Sequence, residues 1–239
     1  FIGCNQGWVV FDDFVLVIDA NFPNQAEEVI KLIRKTTDKP IRYVFDTHYH
    51  GDHTGGNAHF GHDALVMSHD NVRNRLLEQN PAGLPDLTYS EHASFYFNQE
   101  QIELKFAPHG HTDGDTIVFF RSANVVHMGD QFWNGAFPYI DLNAGGTVEG
   151  YIRNVAQVLN QIDDNARIIA GHGSPVVADR AALQRFHDML VATNKVVQQA
   201  VEQGAGLDDI KATSLDSRWD SWGSGYINTE RWLITLYTD

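Results

Sequence analysis

Four side chains able to hold a metal ion fall within six positions of this chain, in the run His48-Tyr49-His50-Gly51-Asp52-His53. The run follows an apolar stretch, Ile41 to Asp46, that reads as a strand, so the cluster sits where a strand stops and the backbone turns. Residues two apart point to one side of an extended chain, which lets His48 and His50 converge on one ion. Asp52 and His53 stand in the turn, at the start of a helix by this reading, and aim at a second ion. Zinc accepts imidazole and carboxylate at about 2.0–2.2 Å, a tight demand that irregular backbone beside glycines can meet. A chance grouping of solvated histidines would leave many adjacent donors and acceptors without a common partner, which is costly. The cluster therefore predicts a metal site at the mouth of a strand.

The rest of the pattern is strand and helix in alternation. Trp8 to Phe11 and Phe14 to Ile18 read as two strands joined at Asp12-Asp13, and Pro23 to Lys35 as a helix with Ala26, Val29, Ile30 and Ile33 at helical spacing. A strand follows at Ala64 to Ser68 and a helix at Asn71 to Glu78; Asn80 to Glu91, with Pro81, Gly83 and Pro85, reads as a loop. Strands come next at Ser94 to Phe97, Ile102 to Phe106, Thr116 to Phe120 and Val125 to Met128. The last third reads as a helix from Val148 to Ile162, a strand from Arg167 to Ala170, a long helix capped by Asp179 and reaching Glu202, and a helix from Asn228 to Tyr237. This predicts an α/β fold in which helices cover the faces of two central sheets, in a single domain over residues 1–239.

Composition narrows the function. Against 31 Asp and Glu stand 17 Lys and Arg, a formal charge of −14, and the basic residues are scattered. A nucleic-acid partner is not expected of such a chain. No stretch approaches the roughly 18 uninterrupted apolar residues of a membrane span. Cys4 is the single cysteine, so neither an internal disulfide nor a multi-cysteine zinc site is possible. The sequence opens at Phe1 in mid-pattern rather than at a methionine, which carries the expectation of a removed secretory signal and of a periplasmic or secreted location. Oligomeric state is not legible.

Three further candidates end apolar runs and have glycine beside them: His111 in Pro108-His109-Gly110-His111, Asp130 in Met128-Gly129-Asp130, and His172 in Gly171-His172-Gly173. With the cluster at His48 to His53 they make seven, and in order and spacing over nearly the whole chain they resemble the metallo-β-lactamase superfamily. The resemblance implies an αβ/βα four-layer sandwich, two mixed β-sheets flanked by helices. It implies that His48, His50 and His111 hold a first metal, that Asp52, His53 and His172 hold a second, and that Asp130 bridges both, as in the glyoxalase II-like, lactonase and phosphodiesterase branches. Asp19, at the end of its strand, resembles the family's carboxylate that orients a ligand; a turn-capping aspartate is the alternative reading.

Departures from the pattern carry information. The best-known zinc β-lactamases have cysteine or serine where Asp130 stands, and the cysteine type has a lysine where this chain has Trp133, so a β-lactam carboxylate would need Arg153, Arg218 or another cation. His50 stands where flavin-diiron relatives have glutamate. The resemblance thus implies two Zn²⁺, with iron or manganese as alternatives, and a small-molecule substrate. The expected chemistry is attack of a metal-bound hydroxide on the carbonyl of a β-lactam, lactone or thioester, with Asp52 as the catalytic residue that orients the nucleophile and moves its proton. An iron-dependent sulfur dioxygenase or a phosphodiesterase is the alternative.

Other residues are read more plainly. Tyr49 alternates away from His48 and His50 and is expected to pack in the core. The aromatic run Gln131 to Tyr139 reads either as a pocket wall or as packing under a sheet edge. His59, His62, His69, His92, His109, His127 and His187 are expected to be structural or solvated, and Trp219, Trp222 and Trp232 to be C-terminal core.

Overall fold

The computed structural model of the protein describes residues 3–60 and 63–239. Phe1 and His62, and the expectations attached to them, lie outside the described residues. The chain divides into two compact units, one of Phe1–Ala107 with Gly114–Gly129 and one of Pro108–Asp113 with Asp130–Asp239.

In the first unit β1 (Gly7–Val10) and β2 (Val15–Ile18) form the expected antiparallel hairpin. Strand β2 then pairs in parallel with β3 (Ile41–Phe45), β3 with β4 (Leu65–His69), and β4 with β5 (Leu87–Tyr89). Parallel neighbours need crossovers. Helix α1 (Pro23–Thr36) supplies the first, the single turn α2 (Gly51–Thr54) lies in the second, and α3 (Asp70–Gln79) supplies the third. All four residues of β2 are buried. Val15 and Val17 pack with Ala26 and Ile33 of α1, while Leu16 and Ile18 pack with Phe45 and Met67 on the opposite face. A strand covered on both faces has no polar side, and Val15 to Ile18 accordingly reads as unbroken apolar sequence. Each such buried aliphatic contributes about 1.5–3 kcal/mol.

Strand β5 corrects the reading of Asn80 to Glu91 as loop throughout. Its three residues extend the sheet beside β4, with Tyr89 buried and Leu87 and Thr88 exposed, and three residues are too few to show a period. The second sheet of this unit is the predicted antiparallel succession: β6 (His92–Phe97), β7 (Glu100–Phe106), β8 (Thr116–Phe120) and β9 (Val125–His127). Its Ile102, Leu104, Val118 and Phe120 join Leu16, Ile18 and Phe45 in one core. Aromatic pairs close that core at one end, with Phe14 against Phe97 and Phe45 against Phe95, both at 4.9 Å.

The second unit holds β10 (Trp133–Asn134), α4 (Val148–Leu159), β11 (Arg167–Ile169), β12 (His172–Gly173), β13 (Val177–Ala178), α5 (Arg180–Glu202), α6 (Leu207–Lys211) and α7 (Thr229–Thr238). Helix starts follow the sequence signals: Asp179 Oδ1 accepts from Ala182 N at 2.7 Å, Thr147 Oγ1 from Gly150 N at 3.0 Å, and Asn228 Oδ1 from Arg231 N at 2.8 Å. Such caps are worth about 0.5–2 kcal/mol each. Helix α4 ends at Leu159, three residues before the expected Ile162, where Gln161 N turns back to Val158 O. Trp232 is core as expected: it is fully buried, its ring stacks on Phe137 at 5.7 Å, and its Nε1 donates to Thr193 Oγ1 at 3.0 Å. Among the described residues no helix is long and apolar enough to cross a membrane.

Candidate metal centre

In the first unit the candidate ligands follow strand ends. Asp19 closes β2 in the left-handed conformation, at φ 62°, with its side chain fully buried. Its Oδ1 accepts from Thr47 N at 2.7 Å, and its Oδ2 accepts from Thr47 Oγ1 at 2.9 Å and from His53 Nδ1 at 2.8 Å. Thr47 Oγ1, having given its proton to Asp19, is left to accept from His48 Nδ1 at 3.2 Å. One carboxylate thus assigns the proton of both imidazoles to Nδ1 and leaves each Nε2 with a lone pair. Asp19 thus fixes the imidazoles of His53 and, through Thr47, of His48, besides its place in the turn.

The two lone pairs face atoms of further candidate ligands. His48 Nε2 lies 3.0 Å from His50 Nδ1, and His53 Nε2 lies 3.6 Å from Asp52 Oδ2. Two ligands at about 2.0–2.1 Å on a tetrahedral ion stand roughly 3.3 Å apart, so both pairs are close to coordination edges. Just before them, burial pushes the carboxyl of Asp46 well above the usual carboxylate range, with neighbouring Asp19 adding to the effect. Asn57 Nδ2 donates to its Oδ2 at 2.8 Å.

The second unit holds the other three candidates. His111 Nδ1 donates to Tyr139 O at 2.7 Å, which leaves Nε2 unprotonated and 3.5 Å from Asp130 Oδ2. His172 Nε2 lies 3.4 Å from Asp130 Oδ1. The buried Asp130 carboxylate thus turns one oxygen toward each of two imidazoles. Both separations exceed the roughly 2.7–2.9 Å of a charge-assisted hydrogen bond and resemble coordination edges. The backbone of Asp130 is held by Tyr151, whose hydroxyl donates to its carbonyl. On the first unit's side of this turn, Gly129 has φ 49°, and a Cβ there would stand 2.6 Å from the Thr47 side chain. Both donor sets are imidazole and carboxylate, and their spacing fits divalent cations of the zinc, iron or manganese type.

Residues 1–172 match the family model of the metallo-beta-lactamase superfamily. The chain belongs to this superfamily. Among curated relatives, it is 23% identical over 186 residues to a probable metallo-hydrolase, YqgX, of Bacillus subtilis, covering 72% of this chain and 86% of that protein. It is 25% identical over 178 residues to a hydroxyacylglutathione hydrolase of Pelagibacter ubique, covering 70% and 66%. Among solved structures, a metallo-beta-lactamase from Pontibacter korlensis superposes with TM-score 0.68 at 19% identity, covering 77% of this chain and 85% of that one. The sec-alkylsulfatase Pisa1 from Pseudomonas sp. superposes with TM-score 0.79 at 16% identity; the match covers 98% of this chain but 47% of that longer one.

The fold is therefore the metallo-β-lactamase fold, mixed α/β with two large sheets flanked by helices, and the chain is a metal-dependent hydrolase of that superfamily. As a superfamily member it is expected to bind divalent metal and a small-molecule substrate.

For this metallo-β-lactamase-like chain the aromatic run Gln131 to Tyr139 divides between the two readings. Phe132 and Phe137 are fully buried and pack on Phe186 and Trp232. Trp133 lies against His172, ring centres 4.4 Å apart, and Tyr139 against His111 at 5.8 Å. Gly173, at φ 92°, lets β12 approach β10: a Cβ there would stand 2.2 Å from Asn134 O.

Tyr49 is buried, as expected of core, and its ring contacts His50 at 4.5 Å. His69 caps α3 and stacks on Phe106 at 3.9 Å, and His127 joins Asn5 O to Gly129 N; both are structural. The cations considered for a substrate carboxylate are engaged elsewhere: Arg153 donates to Pro108 O at 3.1 Å, and Arg218 sits 3.2 Å from Asp216 and over Trp219.

Sequence reasoning missed Thr47, Tyr151 and the place of Cys4. The Cys4 thiol lies within 4.8 Å of ligand atoms of Asp19 and His53, and burial pushes it up to about 12, against a smaller opposing effect of His53. A threonine next to a histidine motif was the signal for Thr47; a lone cysteine 44 positions before His48 offered none.

Proposed function

We propose that this superfamily member is a dinuclear zinc hydrolase that cleaves an acyl substrate of the thioester or lactone class. His48, His50 and His111 would hold one ion, Asp52, His53 and His172 the other, with Asp130 between them. The observation that carries the reading is Asp130 itself: a buried carboxylate with one oxygen 3.5 Å from His111 Nε2 and the other 3.4 Å from His172 Nε2. Both separations are longer than a charge-assisted hydrogen bond, and a carboxylate with an imidazole beside each oxygen suits a position between two ions.

Two such ions, when bound, supply an acidified water as nucleophile and a Lewis acid for the scissile carbonyl. The remaining work belongs to the chain. Asp19 keeps the proton of His53 on Nδ1 and, through Thr47, that of His48, so that both Nε2 lone pairs would be free to hold a metal. Asp52, with a side chain 21% exposed beside His53, would accept the proton of the attacking water and return it to the leaving group. The engagement of Arg153 and Arg218, and Trp133 in place of a lysine, favours thioester or lactone over β-lactam. Similarity to a hydroxyacylglutathione hydrolase supports the same choice.

The test is turnover by the zinc-loaded protein of four substrates: a glutathione thioester, a homoserine lactone, a chromogenic cephalosporin and an aryl phosphodiester. Thioester or lactone hydrolysis that Asp52→Ala abolishes in a folded protein is the expected result. Oxygen consumption by an iron-loaded form, without hydrolysis by the zinc form, would replace the reading with a sulfur dioxygenase.

A further inference from the structure

A ring path leads outward from His172 within the second unit. The Trp133 ring lies 4.4 Å from that of His172; Tyr226 lies nearly parallel to Trp133 at 6.4 Å, and Tyr139 meets Tyr226 edge-on at 6.3 Å. Trp133 is buried and its indole Nε1 has no hydrogen-bond partner among the described residues, whereas Tyr226 is 58% exposed. A buried N–H normally finds an acceptor, and leaving it bare costs about as much as a lost hydrogen bond. Tyr226, stacked on the buried Trp133 and largely exposed, offers a flat face.

At the far end stands Arg231, whose guanidinium lies 4.9 Å over the Tyr226 ring and whose Nη1 donates to Tyr226 O at 3.1 Å. It is exposed, and among the described residues no carboxylate pairs with it, in a chain of formal charge −14. A cation unpaired amid so many carboxylates, fixed over an aromatic face, is complementary to a planar anion.

We infer that Trp133, Tyr139, Tyr226 and Arg231 form a subsite, beside the candidate ligand His172, for a small molecule carrying an aromatic ring with a negatively charged substituent. The identity of that molecule as substrate rests on the hydrolase reading above; the subsite itself does not. The ring lies along the exposed Tyr226, which the buried Trp133 backs, the charged group meets Arg231, and the reactive end is directed toward His172. The four side chains thereby select the aryl portion of the substrate and take no part in bond cleavage.

Calorimetry on the metal-replete full chain tests this with 2-naphthalenesulfonate, whose sulfonate is a poor metal ligand. It should bind at least tenfold more tightly than uncharged 2-naphthol or non-aromatic cyclohexanesulfonate. Tyr226→Ala and Arg231→Gln should each weaken it about tenfold, and Tyr226→Phe should leave it nearly unchanged. Equal binding of the three probes, or naphthalenesulfonate binding indifferent to both variants, overturns the subsite. In hydrolysis, Arg231→Gln should raise KM for an anionic aryl thioester and leave kcat and the KM of an alkyl thioester unaltered. Probe binding that depends on Tyr226 and Arg231 with no hydrolysis of any ester, thioester or lactone keeps the subsite and overturns the hydrolase reading instead.

Discussion

Asp19 Oδ2 stands 2.8 Å from His53 Nδ1, and neither side chain is exposed to solvent. With water excluded, the proton on that nitrogen has no other strong acceptor, so the tautomer of His53 is set by a residue 34 positions earlier. Thr47 relays the same carboxylate to His48. On the proposed ligand assignment, metal affinity would then depend on Asp19 through the two imidazoles it fixes.

Asp19→Asn keeps the size of the side chain but offers an amide where His53 or Thr47 needs an acceptor. Zinc affinity, measured by chelator competition, should fall about 10–100-fold, with circular dichroism unchanged. Affinity equal to that of the parent would show that the hydrogen bonds are structural only.

Gly129→Ala places a Cβ 2.6 Å from Thr47 in a backbone conformation that L-residues seldom adopt. The strain and the clash together should cost about 2 kcal/mol or more, read as a shift of the urea midpoint. They should also disturb Thr47, lowering metal affinity along with stability.

The thiol of Cys4 is 8% exposed and held protonated, its pKa pushed up to about 12 by burial. Ellman's reagent at about neutral pH should not react with the native protein and should titrate one thiol after denaturation. Rapid reaction in the native state would mean that the chain around Cys4 opens.

Arg121 donates to Glu103 Oε2 from Nε at 3.0 Å, Lys105 Nζ lies 3.3 Å from the same oxygen, and together they hold the Glu103 carboxyl below its usual range. A carboxyl whose folded pKa is lowered stabilises the protein above its unfolded pKa, and that stability is lost as pH falls through the folded value. The pair is partly exposed, so Glu103→Gln should lower stability at about pH 7 by no more than about 1 kcal/mol. The difference should narrow as the medium is acidified through and below the ordinary carboxylate range. A gap that stays constant with pH would assign the effect to packing.

Much of this molecule is written in local sequence. The hairpin at Asp12-Asp13, the caps Asp179 and Asn228, and the covered strand Val15 to Ile18 each follow from a period or a cap within a few residues. So do His48 to His53, because a cluster of ligands at a strand end is itself a local pattern. Strands β5, β10, β12 and β13, of three or two residues each, carry no period and exist only because a neighbouring strand is already in place. Tyr226 and Arg231 were illegible for the same reason. Tyr226 meets Trp133 across more than 90 positions, which no spacing rule reaches, and Arg231 is placed by Tyr226.

The central claim is that Asp130 bridges two ions. An anomalous-difference map at the zinc edge, from metal-replete crystals, tests it most directly. The account predicts two peaks about 3.5–4 Å apart, one bound by His48, His50 and His111 and the other by Asp52, His53 and His172, with an Asp130 oxygen on each. A single peak lacking Asp130, or no peak at these residues, would contradict it.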